Sequence, residues 1–190
     1  MHINIKKAAV LGSGVMGMGI AAHLANAGVE VLLLDIVPDG AEDRDVLAKT
    51  AIAKALKTDP APFMSKRFAK RVTPGNFDDH LAQIAEVDWI IEVVIERLDI
   101  KSALYKKIDA VRKPGTLVSS NTSTIPLKDL VDGQSDGFKQ DFLITHFFNP
   151  PRYLRLLEIV AGPESRQELV IGITAFGDKA LGKAVVKCND

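Results

Sequence analysis

The chain has 190 residues, of which 47% are hydrophobic and 25% are charged, and its formal net charge is zero. This length can bury a substantial core, and the balanced charge gives no reason to expect nucleic acid or a membrane surface as a partner. The single cysteine, the absence of an apolar membrane-length run and an N-terminal segment without a signal-peptide core together predict a cytoplasmic protein.

Apolar, strand-like runs alternate with segments of helical periodicity along the whole chain. We expect strands at 8–12, 29–35, 87–94, 115–122, 142–148, 155–160 and 183–188. Helices are predicted at 16–27, 43–57, 60–71, 99–111, 125–131 and 165–181, the last with Ser165 as its N-cap. The stretch TPGNFDD, 73–79, is predicted to be a loop. Since the central strands are apolar on both faces and are separated by helices, the pattern predicts an α/β fold with a mainly parallel sheet.

A glycine-rich turn joins the first strand to the first helix in the sequence GSGVMG, and an acid, Asp35, ends the second strand. Three glycines at this spacing allow a tight turn, close approach of backbone to a pyrophosphate and close packing of helix on strand. The pattern predicts a Rossmann-type doubly wound sheet that binds a dinucleotide, with a helical insert after the second strand. The expected contacts in this turn are Gly12, Ser13, Gly14, Val15, Met16 and Gly17.

Asp35 determines which dinucleotide we expect. A carboxylate at this position accepts hydrogen bonds from the adenosine ribose hydroxyls, and Ile36 and Val37 follow it where an arginine would be needed for a 2′-phosphate. The sequence therefore favours NAD over NADP. The alternative is a glycine turn in some other α/β protein.

The segment 49–71 carries seven basic residues and one acid, a net of +6 in a chain whose total is zero. Such a local patch attracts a polyanionic ligand. The alternative, equally compatible with the charges alone, is two solvated helix faces. The basic residues are Lys49, Lys54, Lys57, Lys66, Arg67, Lys70 and Arg71.

Two titratable residues, His146 and Glu158, lie in neighbouring apolar runs near the end of the chain. Either alone is more often a structural residue than a catalyst. Adjacent strands, however, bring such side chains together, and a buried carboxylate beside an imidazole fixes its tautomer and favours its charged form. That is the arrangement that a general base requires.

Four segments resemble the NAD-binding domain of the L-3-hydroxyacyl-CoA dehydrogenases of fatty-acid β-oxidation, in order along nearly the whole chain. They are VLGSGVMGMGIAAHLANAGVEVLLLD, IIEVVIERLDIKSALYKKID, SSNTS and THFFNPPRYLRLLEIV. The amino-acid sequence is most similar to that of the bacterial long form, in which the dehydrogenase is fused to an enoyl-CoA hydratase-like region. The resemblance implies NAD as the cofactor, 3-hydroxyacyl-CoA as the substrate and no metal.

The resemblance also implies a role for each matching residue. His146 is the base that takes the proton of the 3-hydroxyl, and Glu158 orients and stabilises it. Ser123 lies near the reacting oxygen and the nicotinamide, and Asn149 helps to hold cofactor and substrate. Glu96 and Lys101 match positions that contact the nicotinamide-side ribose. The basic segment 49–71 falls where the family's helical insert touches coenzyme A.

In the family, the strand that corresponds to KAVVKCND leads into an all-helical domain, which supplies a further active-site asparagine, closes the cleft and forms the dimer. This chain stops at Asp190. We therefore expect residues 1–190 to be the cofactor domain without that helical domain, with little turnover alone and a tendency to form homo-oligomers. Two alternatives stay open: a related dehydrogenase of a sugar acid such as gulonate, and a non-catalytic NAD-binding module.

Overall fold

One eight-stranded sheet carries the fold in the computed structural model, which describes residues 3–190 and leaves out Met1 and His2. The strands are β1 Lys7–Leu11, β2 Glu30–Asp35, β3 Val72–Asn76, β4 Trp89–Glu92, β5 Leu117–Ser120, β6 Phe142–Phe147, β7 Leu156–Ala161 and β8 Ala184–Cys188. The α-helices are α1 Val15–Asn26, α2 Val46–Ala55, α3 Phe77–His80, α4 Leu98–Val111, α5 Leu127–Leu130, α6 Asp136–Asp141 and α7 Gln167–Lys179. Two 3-10 helices span Lys66–Arg71 and Leu81–Glu86.

The strand order is β3-β2-β1-β4-β5-β6-β7-β8, and β6 and β7 form the antiparallel pair of an otherwise parallel sheet. The first six strands have the order of doubly wound dinucleotide-binding folds, in which ligands bind beyond the carboxyl ends of the strands where the order reverses. That reversal lies between β1 and β4. The predicted Rossmann-type, mainly parallel sheet is confirmed.

Each face of the sheet has its own apolar core. The first joins buried residues of α1 and α7 to one face, and the second joins those of α4, α5 and α6 to the other. Trp89 is fully buried in the first core, and its Nε1 donates to Ser119 Oγ. Within residues 3–190, no helix is both long enough and apolar enough to cross a membrane.

The insert after β2 is less helical than predicted. Helix α2 covers only the middle of the predicted 43–57, and the predicted helix 60–71 is wrong except for a 3-10 turn at Lys66–Arg71. Pro60 and Pro62 each lack the amide donor that a helix needs. The backbone there binds side chains instead: Asn26 Nδ2 donates to Pro62 O at 2.9 Å, and Met64 N donates to Asn26 Oδ1 at 2.8 Å.

The prediction of a loop at 73–79 is wrong. The first half is the edge strand β3, which pairs in parallel with β2, and α3 follows it. An edge strand needs hydrogen bonds on one side only, so it tolerates Pro74 and Gly75. Asn76 then caps α3, its side-chain oxygen accepting from Asp79 N at 2.8 Å.

The predicted N-cap of the last helix is also wrong. Helix α7 begins at Gln167 with Arg166 at the cap position. The Ser165 hydroxyl accepts from Gly162 N at 2.9 Å and donates to Phe142 O at 2.7 Å. Ser165 therefore ties the turn after β7 to the start of β6, and its hydroxyl is not available to the helix.

Candidate active site

The glycine turn follows β1 directly and crosses the point where the strand order reverses. Gly12 has a φ of +110°, and a Cβ there would lie 2.5 Å from Val93 O, the backbone that follows β4. A Cβ on Gly17 would lie 1.9 Å from Gly12 O, so helix α1 packs directly against the turn. Nothing lies within 4 Å of the Cβ position of Gly14. The middle of the turn is therefore open to a ligand, as a pyrophosphate requires.

Asp35 is joined to this turn by its side chain. Its Oδ2 accepts from Ser13 N at 2.7 Å and from Ser13 Oγ at 2.5 Å, while its Oδ1 accepts from Ile36 N at 2.8 Å. The end of β2 is thus tied to the loop after β1. Asp35 lies directly beside the turn and fixes its shape. Val15 and Met16 open α1 next to it, Val15 being 73% exposed.

Glu92, at the end of β4, is a fully buried carboxylate that the sequence reasoning did not single out. Its Oε1 accepts from Lys101 Nζ at 2.7 Å and from Val94 N at 2.8 Å. Its Oε2 accepts from Tyr105 OH at 2.6 Å and from Ser120 Oγ at 2.7 Å. Four donors, one of them an ammonium group, offset the cost of burying this charge. Burial and the Glu92 charge raise the pKa of Tyr105, which stays a neutral donor.

Glu96, four residues further on, gathers the loops that follow β4 and β5. Its side chain accepts from Lys101 Nζ at 3.1 Å, from Thr122 Oγ1, and from Ser123 N at 3.3 Å. Burial opposes ionisation of Glu96, but the hydrogen bond from Thr122 and the charge of Lys101 outweigh it and lower the pKa. Lys101 is 1% exposed, and its ammonium lies between the two carboxylates, 2.7 Å from Glu92 Oε1 and 3.1 Å from Glu96 Oε2.

His146 and Glu158 face each other across the antiparallel pair of β6 and β7, in direct register. The distance from His146 Nδ1 to Glu158 Oε2 is 2.9 Å, and the Phe148 ring packs on the imidazole with centroids 4.4 Å apart. The side chains are 21% and 34% exposed. The expected contact between His146 and Glu158 exists. The expected burial of the Glu158 carboxylate is wrong, because every second residue of β7, Glu158 included, is only partly buried.

A cavity of about 500 Å³ lies between the glycine turn, α2 and the loop after β6. Gly14 and Met18 line one side, Lys54 and Thr58 a second, and Asn149 a third. Pro150, Pro151 and Arg152 continue the wall that begins with Asn149. His146 and Glu158 do not line it. The cavity brings Asn149 next to the glycine turn and gives one residue of the basic segment, Lys54, a place at the site.

Two of the remaining basic residues of 49–71 have polar partners inside the fold. Lys49 pairs with Asp43 at 2.7 Å and with Asp45 at 3.6 Å. Arg71 donates to Ala25 O at 2.9 Å and lies 4.5 Å from the centroid of the Phe68 ring. The others are exposed: Lys57, Lys66, Arg67 and Lys70. Part of the positive charge of the segment 49–71 is therefore already engaged by partners within the fold.

Among residues 3–190, no group of three or more histidine, cysteine or acidic side chains is arranged to hold a metal ion. The residues present fit a dinucleotide instead: an open glycine turn at a helix start, an acid beside it, and Glu96 across the strand reversal from it.

Comparison with known proteins agrees with this geometry. The family model described as 3-hydroxyacyl-CoA dehydrogenase, NAD binding domain, matches residues 7–190. A Bacillus subtilis protein named "Probable 3-hydroxyacyl-CoA dehydrogenase" is 50% identical over all of this chain and 26% of its own length. A Deinococcus radiodurans protein of the same name is 46% identical over 99% of this chain and 54% of its own length.

A third relative, the "Putative fatty acid oxidation complex trifunctional enzyme" of Rickettsia felis, is 44% identical over all of this chain and 26% of its own length. Among solved structures, 3-hydroxybutyryl-CoA dehydrogenase of Escherichia coli has a TM-score of 0.82 and 29% identity, covering 98% of this chain and 38% of its own. The chain therefore spans between about a quarter and about a half of the length of these three relatives.

Proposed function

We propose that this chain, which belongs to the 3-hydroxyacyl-CoA dehydrogenase family as an NAD-binding domain, carries the cofactor site and the base of an enzyme that oxidises 3-hydroxyacyl-CoA to 3-ketoacyl-CoA. The observation that carries the proposal is the imidazole–carboxylate pair of His146 and Glu158 at the ligand-binding edge of the sheet. A module that only bound NAD would have no use for this pair. The name of the Rickettsia felis relative, which describes a putative fatty acid oxidation complex, supports a place in fatty-acid β-oxidation.

His146 acts as the general base in this proposal. Nδ1–H donates to Glu158 Oε2, so the neutral ring carries its acceptor at Nε2. Among residues 3–190, no hydrogen bond engages that nitrogen, and it is free to accept the proton of a 3-hydroxyl. Glu158 holds the tautomer and stabilises the imidazolium that forms. Bound NAD supplies the hydride acceptor for C3.

Ser123 and Asn149 position the reactants. Glu96 holds the Ser123 backbone amide at 3.3 Å, beside the strand reversal, and this supports a role for the Ser123 hydroxyl as a donor to the reacting oxygen. Asn149 stands on the cavity wall opposite α2, where it can contact cofactor and substrate. Glu96 is the group that meets the nicotinamide-side ribose, and Lys101 acts behind it by fixing its carboxylate.

The coenzyme A half of the substrate fits the cavity between α1 and α2. Its apolar stretch, with Met18, Ala51 and Ala55, suits the pantetheine arm, and Lys54 offers charge to a phosphate. Of the basic residues in 49–71, the proposal therefore assigns only Lys54 to the coenzyme A site.

The test is formation of NADH from NAD by a form of the protein that includes the family's helical domain. A 3-hydroxyacyl-CoA should support turnover, and free gulonate should not. The 190 residues alone should bind NAD but turn over slowly, because one domain gives the acyl chain a single wall. Turnover of gulonate without response to acyl-CoA would replace this proposal with the sugar-acid alternative.

A further inference from the structure

Lys183, the residue before β8, is a buried ammonium group that the proposed reaction does not use. Its side chain is 2% exposed. Nζ donates to Pro151 O and, at 2.8 Å, to Leu154 O, and it lies 5.5 Å from the centroid of the Phe147 ring. A buried lysine is ordinarily paired with a carboxylate. Here its polar partners are two backbone carbonyls of one loop.

That loop, 150–154, is the back of the cavity wall. It turns on itself, Tyr153 N and Leu154 N both donating to Pro150 O at 2.9 and 3.0 Å. Pro151 packs against α1 so closely that a Cβ on Gly19 would lie 2.8 Å from its Cδ. On the other side, Arg152 NH1 donates to Ala61 O at 2.6 Å. The loop therefore touches the cofactor helix, the insert and Lys183 at once.

We propose that Lys183 is a positioning residue: its ammonium fixes the loop 150–154 from behind and so holds the Asn149–Arg152 wall of the cavity in place. The inference deepens the proposed function, since acyl-CoA as the occupant of this cavity rests on that proposal. Lys183 touches neither substrate nor cofactor. It acts through the two carbonyls that it holds.

Ionisation of Lys183 makes this role visible in solution. Burial lowers the pKa of Lys183 from 10.5 to about 8, and a neutral amine donates weaker hydrogen bonds to the two carbonyls than an ammonium group does. The other ionisable groups around it are His23 of α1, Arg152 of the loop and Arg155, whose Nε donates to Gly182 O. Burial lowers the pKa of His23 to about 4, so this ring stays neutral between pH 7 and 9.

The experiment is calorimetric titration with acetyl-CoA, which has no free thiol to ionise, at pH 7 and pH 9. Lys183→Met should bind about tenfold more weakly than the unmodified chain at pH 7, the size of one charge-assisted hydrogen bond, and should lose little more at pH 9. The unmodified chain should weaken between the two values. Lys183→Arg should bind well at both. The control is Lys187→Met, an exposed lysine of β8, which should behave like the unmodified chain.

Equal affinity of folded Lys183→Met and the unmodified chain at pH 7 would overturn the inference. A loss of acetyl-CoA affinity between pH 7 and pH 9 that persists in Lys183→Arg would also overturn the inference. This second comparison tests the inference even if Lys183→Met does not fold. Absence of acetyl-CoA binding by the unmodified chain would instead contradict the proposed function. In that case, amide hydrogen exchange of Tyr153 and Leu154 in the absence of ligand still tests whether Lys183 fixes the loop 150–154. Exchange should be about tenfold faster in Lys183→Met than in Lys187→Met. Equal rates would contradict the positioning role of Lys183.

Discussion

The His146 imidazole lies 2.9 Å from the Glu158 carboxylate because the antiparallel register of β6 and β7 sets the two residues directly opposite each other. Neighbouring register pairs, Thr145 with Ile159 and Phe147 with Leu157, are buried. A slip of one residue would turn these buried side chains to the wrong face. The packing of the strands therefore fixes the geometry of the pair.

The two residues should act as one unit. In a form that includes the helical domain, Glu158→Gln keeps an oxygen beside His146 but removes the charge that stabilises the imidazolium, so the turnover rate should fall by about 100-fold. A double variant with His146→Gln should lose little beyond the worse single variant, because groups that work together are not additive. Rate constants from NADH formation supply the comparison. Losses that multiply would mean that the residues contribute independently.

Asp35 should govern the choice of dinucleotide. Its carboxylate would repel a 2′-phosphate, so calorimetry should show clearly tighter binding of NAD than of NADP. Asp35→Asn keeps an oxygen for Ser13 and should narrow this gap. Asp35→Ala also removes the acceptor that ties the turn to β2 and should weaken both cofactors. Asp39→Asn, an exposed neighbour, serves as the control, and equal binding of NAD and NADP by the unmodified chain would contradict the role of Asp35.

Lys54 should be the residue of the basic segment that recognises coenzyme A. Lys54→Gln should weaken acetyl-CoA binding by about threefold, a size typical of an exposed charge, and high salt should reduce the difference. Lys70→Gln removes the same charge from the same segment, but Lys70 does not line the cavity and the variant should bind normally. Equal losses in the two variants, measured by titration at two salt concentrations, would indicate a diffuse patch.

His23 should make the fold sensitive to acid. Burial, and then the charge of Lys183, lower the pKa of His23 from 6.5 to about 4. Its Nε2 lies 3.1 Å from Leu181 O and its Nδ1 is buried without a partner within residues 3–190. The unfolded chain therefore binds a proton that the folded one excludes, and stability is lost as the pH falls from 6.5 to 4. The loss is on the order of 3 kcal/mol.

Urea unfolding at pH 7 and pH 4 measures this loss. His23→Gln should lose less stability between the two pH values than the unmodified chain, because the glutamine does not titrate. His80→Gln is the matched control, since it replaces a half-buried histidine in another part of the fold, the end of α3. An equal loss in the unmodified chain and in His23→Gln would place the acid sensitivity elsewhere.

Local patterns were sufficient to predict most of the fold. The glycine turn and the apolar strands each determine a conformation through their own residues, and the turn, the sheet and the meeting of His146 with Glu158 are confirmed. The first helix ends close to its predicted end, where Gly28 follows α1 with a φ of +92°. These features depend on neighbours along the chain or on the adjacent strand.

Features that depend on tertiary partners were missed. The edge strand β3 contains Pro74 and Gly75, which by themselves favour a turn, and it forms because β2 offers it a partner. Glu92 ends an apolar run like many strand residues, and its importance comes from donors 9, 13 and 28 residues away. Lys101, a basic residue nine positions after Glu92 in the chain, is the local signal that could have indicated this buried charge.

The most direct test of the account is the rate of NADH formation from a 3-hydroxyacyl-CoA by the His146→Gln variant, in a form that includes the helical domain. Glutamine has no group that accepts a proton at neutral pH, so the rate should fall by about 1,000-fold or more, while calorimetry should give an NAD affinity within a few-fold of the unmodified protein. A variant that binds NAD normally and keeps most of its turnover would show that His146 is not the base.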